Sequence, residues 1–66
     1  MERKSFKKLQ DYILDFIESK NSDEKVYVMN CNDAKKLSKI LLAIGQKPII
    51  ETLPTDECIV KVTKRL

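Results

Sequence analysis

Apolar residues recur at helical spacing in two stretches of this chain and in strand-like runs in three others. Over residues 5–20, Phe6, Leu9, Ile13, Phe16 and Ile17 make one stripe, with Tyr12 and Leu14 beside or opposite it. That spacing predicts a helix. Ser5 is its expected N-cap, and Asn21-Ser22-Asp23 is a cluster that favours a turn. Residues 25–30 then alternate, Val26 and Val28 against Tyr27 and Met29, as in a half-buried strand. Ala34, Leu37, Ile40, Leu41 and Ile44 return to helical spacing over residues 33–44. Asn32 is positioned to cap this helix, Asp33 suits its positive end, and Gly45 can close it. Pro48 opens a strand over residues 48–53, where its missing amide does least harm. Residues 53–57 read as a turn and residues 58–63 as the returning arm of a hairpin. In that arm Cys58, Val60 and Val62 face one way, and Ile59, Lys61 and Thr63 the other.

The order helix-strand-helix-strand-strand predicts an α/β two-layer sandwich, with both helices on one face of a three-stranded mixed sheet. The strand at 58–63 is expected in the centre, antiparallel to the other two. Residues 1–66 read as a single small domain. Residues 1–24 form the N-terminal amphipathic helix and turn, and residues 25–66 a strand-helix-hairpin unit. The uncovered sheet face is expected to centre on Tyr27 and Ile59. That face, or an open strand edge, is the expected interface of a homodimer. Self-association would suit a chain of 66 residues, whose core is necessarily small.

Composition narrows the function classes. The chain is 42% hydrophobic and 35% charged with one glycine, which is a folded, highly charged composition. Thirteen basic and ten acidic residues give a formal net charge of +3, enough to permit contact with nucleic acid without requiring it. With no histidine and two cysteines, the chain cannot build a closed four-ligand zinc site. No apolar run is long enough for a membrane span or a signal-peptide core. The expectation is a cytoplasmic protein with both thiols reduced. No glycine-rich phosphate loop or nucleophile-base pairing is present. Nothing points to an enzyme, a cofactor, a metal or a small-molecule substrate.

The basic residues are the strongest candidates for a binding role. Arg3, Lys4, Lys7 and Lys8 precede or open the first helix, and Lys35, Lys36 and Lys39 share the polar face of the second. Cations at the start of the first helix, with Asp11, Asp15 and Glu18 further along, oppose its macrodipole, so local helix stability does not account for them. Lysine-phosphate contacts with nucleic acid would; the competing reading is a solvated face that keeps a small domain soluble. Lys61, Lys64 and Arg65 add a third basic group. The acidic flank reads as solvated, and Tyr12 and Tyr27 as packing residues. Cys31, between a strand end and a helix start, is a candidate reactive thiol, weighed against a small semi-buried apolar residue.

Residues 26–63 resemble the second half of small sulfur-carrier proteins of the TusA/SirA type. The likeness lies in a strand, a helix opening on Asn32-Asp33-Ala34, and Ile44-Gly45-Gln46-Lys47 leading into a hairpin that ends on basic residues. The same two-layer plan occurs in the C-terminal domain of translation initiation factor 3 and in the archaeal DNA-binding protein Alba. The resemblance implies a two-layer fold. The sulfur carriers begin with a strand followed by Cys-Pro-x-Pro, whereas Ser5-Phe6-Lys7-Lys8 stands at the corresponding helix here. No position matches the reactive cysteine of that motif. The expected function is therefore a small non-enzymatic module binding nucleic acid through lysine-phosphate contacts. The alternatives are a protein-interaction or oligomerisation module and a degenerate TusA-like thiol carrier working through Cys31.

Overall fold

A computed structural model describes residues 3–65. The elements are β1 (Arg3–Lys4), α1 (Leu9–Glu18), β2 (Glu24–Asn30), α2 (Cys31–Ala43), β3 (Ile49–Thr52) and β4 (Glu57–Thr63). All the strands belong to one four-stranded sheet in the order β1-β2-β4-β3. β1 runs parallel to β2, and β4 lies antiparallel between β2 and β3. The strand at 58–63 is interior, as its pattern predicts.

The expected three-stranded sheet is corrected by β1. Arg3 and Lys4 carry no apolar alternation; their extended state comes from pairing with Val26 and Tyr27. α1 is accordingly shorter than predicted. It begins at Leu9, with Lys8 at the N-cap and no side-chain cap, so Ser5 is not the cap. Leu9, Tyr12, Ile13 and Phe16 turn inward, at i, i+3, i+4 and i+7, while Ile17 stays 58% exposed. The end of α1 lacks a basic residue in its last turn. Lys64, beyond β4, supplies one: its Nζ donates to the carbonyls of Ile17 (2.8 Å) and Ser19 (2.6 Å).

α2 also starts earlier than predicted, and Asn30 is its cap in place of Asn32. The Asn30 Oδ1 accepts from the backbone N–H of Asp33 at 2.9 Å, and its amide donates back to the Asp33 carboxylate at 3.1 Å. The far end closes as Gly45 predicts. Gly45 has φ +87°, its N–H reaches the carbonyl of Leu42, and the N–H of Gln46 reaches that of Leu41. This pair of bonds is a Schellman closure, which favours glycine at the left-handed position.

One cluster joins Tyr12 and Phe16 of α1 with Ala34, Leu37 and Leu41 of α2. The same cluster holds Tyr27 and Met29 of β2 and Cys58, Val60 and Val62 of β4. These strand residues share one alternation, so both helices cover the same face. The register overturns the expectation that Tyr27 lies on the uncovered face. Tyr27 is opposite Val60, fully buried, and stacked edge-on with Tyr12 at 5.4 Å. The uncovered face is instead lined by Val26, Val28, Ile59 and Lys61, joined by Ile49 and Glu51 of β3. Ile59 itself is only 1% exposed, in register between Val28 and Glu51.

Candidate functional site

The register of the sheet decides where each basic residue falls. β1, β2 and β3 run in one direction, so both helices begin at the end of the sheet where β1 and β2 finish. Lys7 and Lys8, just before α1, and Lys35 and Lys36, in the first turns of α2, therefore share that end. Lys39 lies one turn further along α2. All five are exposed, and among the described residues no ion pair holds any of them. Arg3 is exposed on the edge strand, in register with Val26 on the uncovered face.

Lys4 parts from this group. Its ammonium bonds the Asp15 carboxylate at 3.0 Å, on the helix side of the sheet. The other Asp15 oxygen accepts from the Tyr27 hydroxyl at 2.8 Å and lies 3.7 Å from the Lys25 ammonium. Asp15, grouped with a solvated acidic flank by sequence, is the hub that ties α1 to β1 and β2. Partial burial works to raise its carboxyl. The hydrogen bonds from Tyr27 and Lys4, with the charges of Lys25 and Lys4, outweigh burial and hold it below the usual carboxylate range. The Tyr27 phenol is pushed well above its ordinary range, first by burial and then by its bond to Asp15 and that carboxylate's charge.

A depressed carboxyl stabilises the fold above its unfolded value of about 4, and that contribution is lost as pH falls through the folded value. Asp15→Asn is therefore expected to be less stable than the parent at neutral pH, with the gap narrowing below about pH 4. Urea unfolding of both proteins across a pH series checks this. A gap that stays constant into acid would mean that the carboxylate charge is not the stabilising element. The raised Tyr27 phenol works in the other direction, adding stability that is lost as pH climbs above about 10.

Cys31 is not a free thiol. It is bonded to Cys58, with Cα atoms 4.9 Å apart, and no free cysteine remains. This corrects the expectation of two reduced thiols. Cys58 lies opposite Met29 and points to the helix side; the chain turns into α2 straight after Asn30, which brings Cys31 over the same point. The acidic flank holds no metal cluster: no group of three or more candidate ligands exists among the described residues.

The sheet's opposite end carries a feature that pattern reading did not assemble. A pocket of about 270 Å³ opens where β2 and β3 begin and β4 ends, bordered by Glu24, Val26, Lys47, Ile49, Lys61 and Arg65 among others. Lys61 and Arg65 were visible as a basic group in the sequence, but Lys47 joins them only through the fold. Among the described residues no helix is long and apolar enough to cross a membrane. No family model, curated protein or solved structure matches the chain.

Proposed function

We propose that this protein is a small non-enzymatic module that binds nucleic acid through lysine-phosphate contacts. The observation that carries the reading is the shared end of the two helices, where Lys7, Lys8, Lys35 and Lys36 stand exposed with no ion-pair partner among the described residues. Lys39 extends the surface along α2, and Arg3 lies at the sheet edge. Lys4 drops out of the contact set because Asp15 already holds it. A side chain with a free ammonium and no ordered partner gains more from a phosphate than one that must first break a bridge. Such contacts are sequence-independent and release counterions, so affinity must fall steeply with salt.

Fluorescence anisotropy with labelled duplex and single-stranded nucleic acid, at low and physiological salt, tests the reading. The triple variant Lys35→Ala, Lys36→Ala, Lys39→Ala should weaken binding and flatten the log-log salt dependence by about 0.9 for each phosphate contact removed. Unchanged affinity in that variant would show that α2 is not the surface.

A second reading, self-association as a homodimer, is favoured by apolar side chains left outside the core. Leu42 and Ile44 at the end of α2 and Ile49 on β3 are each more than half exposed. Edge-to-edge pairing is the weaker route. β1 has two residues, and the short β3 follows Pro48 and carries Glu51; these features blunt a sheet edge. The exposed apolar side chains at the end of α2, with Ile49 on the uncovered face, are the better candidate surface, and sedimentation over a wide dilution range separates a monomer from a dimer.

A thiol carrier working through Cys31 would require the Cys31–Cys58 bond to open first. That bond also bears on the compartment. A cytoplasmic location agrees with the sequence, and a closed pair there requires either an oxidant or a reduction potential low enough to resist the glutathione pool.

A further inference from the structure

We propose that the pocket on the uncovered sheet face is a binding site for a small phosphate-bearing ligand, separate from the lysine surface at the helix starts. The pocket has a volume of about 270 Å³ and lies at the opposite end of the sheet from that surface. Strand alternation brings Glu24, Val26, Ile49, Lys61 and Thr63 to this face, and Lys47 and Arg65 border it from the segments next to β3 and β4. Its chemistry is the Thr63 hydroxyl and the cations Lys47, Lys61 and Arg65 around an apolar floor of Val26 and Ile49, with the Glu24 carboxylate at the start of β2. Lys25 also borders the pocket, but its ammonium lies 3.7 Å from Asp15 on the helix side.

The way the fold holds Arg65 is the main argument. The two residues that follow β4, Lys64 and Arg65, are strapped on both sides. Ser22 N–H donates to the Lys64 carbonyl and Lys64 N–H to the Asp23 carbonyl, each at 2.9 Å. On the other side stands Gln46, a buried polar residue only 6% exposed. Its Nε2 donates to the Arg65 carbonyl at 2.7 Å and its Oε1 accepts from the Arg65 N–H at 2.9 Å. Both ends of the amide are spent on one residue's backbone. Gln46 immediately precedes Lys47, so the clamp sets Arg65 beside Lys47 at the pocket. Lys64 turns to the helix side to close α1, which leaves Arg65 of the opposite alternation for the open side.

Among the described residues, no ion pair engages Lys47 or Arg65. Lys61 is bonded to Glu51 at 2.9 Å, but both side chains are about half exposed, so the bridge is weak and can be redirected. A planar guanidinium with flanking ammonium groups and a threonine hydroxyl suits a phosphate dianion, which accepts from each. The volume lies just below the usual range for ligand clefts, which sets the size at a sugar phosphate. Val26 and Ile49 would take the carbon skeleton, and Glu24 can accept from a sugar hydroxyl.

Titration of the isotope-labelled protein with ribose 5-phosphate, with ribose and inorganic phosphate as comparison ligands, tests the site by amide chemical shifts. The expected result is saturable movement at Lys47, Ile49, Lys61 and Thr63, tighter for ribose 5-phosphate than for phosphate and absent for ribose. Lys47→Ala with Arg65→Ala should weaken it by about tenfold or more, as the loss of two charge-assisted bonds implies. Both positions are exposed, so folding is not at stake. The Lys35, Lys36, Lys39 alanine variant should bind the sugar phosphate like the parent, which separates this site from the nucleic-acid surface. No saturable shift, equal affinity in the Lys47/Arg65 variant, or shifts confined to α2 would each overturn the proposal.

Discussion

Reducing the Cys31–Cys58 bond should lower the stability of this protein by roughly 3 to 4 kcal/mol. The bond closes a loop between cysteines 27 apart in sequence, and cross-linking a loop of that length removes about this much free energy from the unfolded chain in the chain-entropy account. The absolute scale makes the effect large. Below about 70–80 residues a single core rarely supplies more than about 3–5 kcal/mol, so the reduced protein should lie close to its unfolding midpoint. The bond also pins the first residue of α2 to the second residue of β4, two elements that share the core. Thermal unfolding with and without a thiol reductant should differ by more than about 10 °C. The Cys31→Ala, Cys58→Ala variant should follow the reduced curve under both conditions. Coincident melting of the oxidised and reduced protein would mean that the surrounding packing already holds these ends together.

Tyr12→Phe should cost about 2 kcal/mol, far more than the removal of one oxygen from an exposed phenol. The Tyr12 ring is buried and its hydroxyl is a junction. It accepts from the Phe6 N–H at 2.8 Å, and the carbonyls of Val28 (2.6 Å) and Phe6 (3.1 Å) both lie within its reach as acceptors. The hydroxyl thereby ties the segment between β1 and α1 to the body of β2. Phenylalanine would fill the same space and keep the edge-on contacts with Phe6 and Tyr27, but it would strand backbone groups in partly buried surroundings. Leaving a buried donor or acceptor unpaired costs about 1–3 kcal/mol. Urea unfolding gives the loss directly. Amide exchange should also quicken at Phe6 and across residues 3–8, because β1 and the loop after it depend on that anchor. A variant as stable as the parent would show that water replaces the hydroxyl without penalty.

The parts of the fold that were legible in the sequence are those whose own residues dictate them. Gly45 closing α2, the hairpin of β3 and β4, and the alternation of Cys58, Val60 and Val62 all follow from local chemistry, and they lead to an interior β4. β1 was not legible. Arg3 and Lys4 become a strand only because Val26 and Tyr27 offer them an edge. The face of Tyr27 is not legible either: β2 is apolar on both sides, so alternation divides its residues without saying which set the helices cover. The cap of α2 shares this local ambiguity: Asn30 and Asn32 are equally good capping residues, and the point where β2 ends decides between them.

The candidate sites divide in the same way. Lys35, Lys36 and Lys39 on an exposed helical face could be read from spacing alone. That Lys7 and Lys8 share their end of the sheet follows from strand direction, which a sequence does not print. Lys4 lost its role to Asp15, a residue eleven positions away that the sequence shows only as one of an acidic flank with Asp11 and Glu18. Lys47 and Arg65 are separated by the whole β3–β4 hairpin and meet through Gln46. The disulfide had no spacing signal at all; it depends on the register that sets Cys58 opposite Met29.

The central position of β4 has a consequence for how the chain is made. β2 pairs with β1 and β4, and β3 pairs with β4 alone among the described strands. Until Glu57–Thr63 has left the ribosome, β3 has nothing to bond to and the sheet exists only as the short β1–β2 pair. The nascent chain thus carries Tyr27, Met29 and the inner faces of both helices without the strand that completes their core. The described sheet cannot close before β4 emerges, and the same strand delivers Cys58, the partner of Cys31. A ribosome pausing before Glu57 would expose the most aggregation-prone form of the molecule.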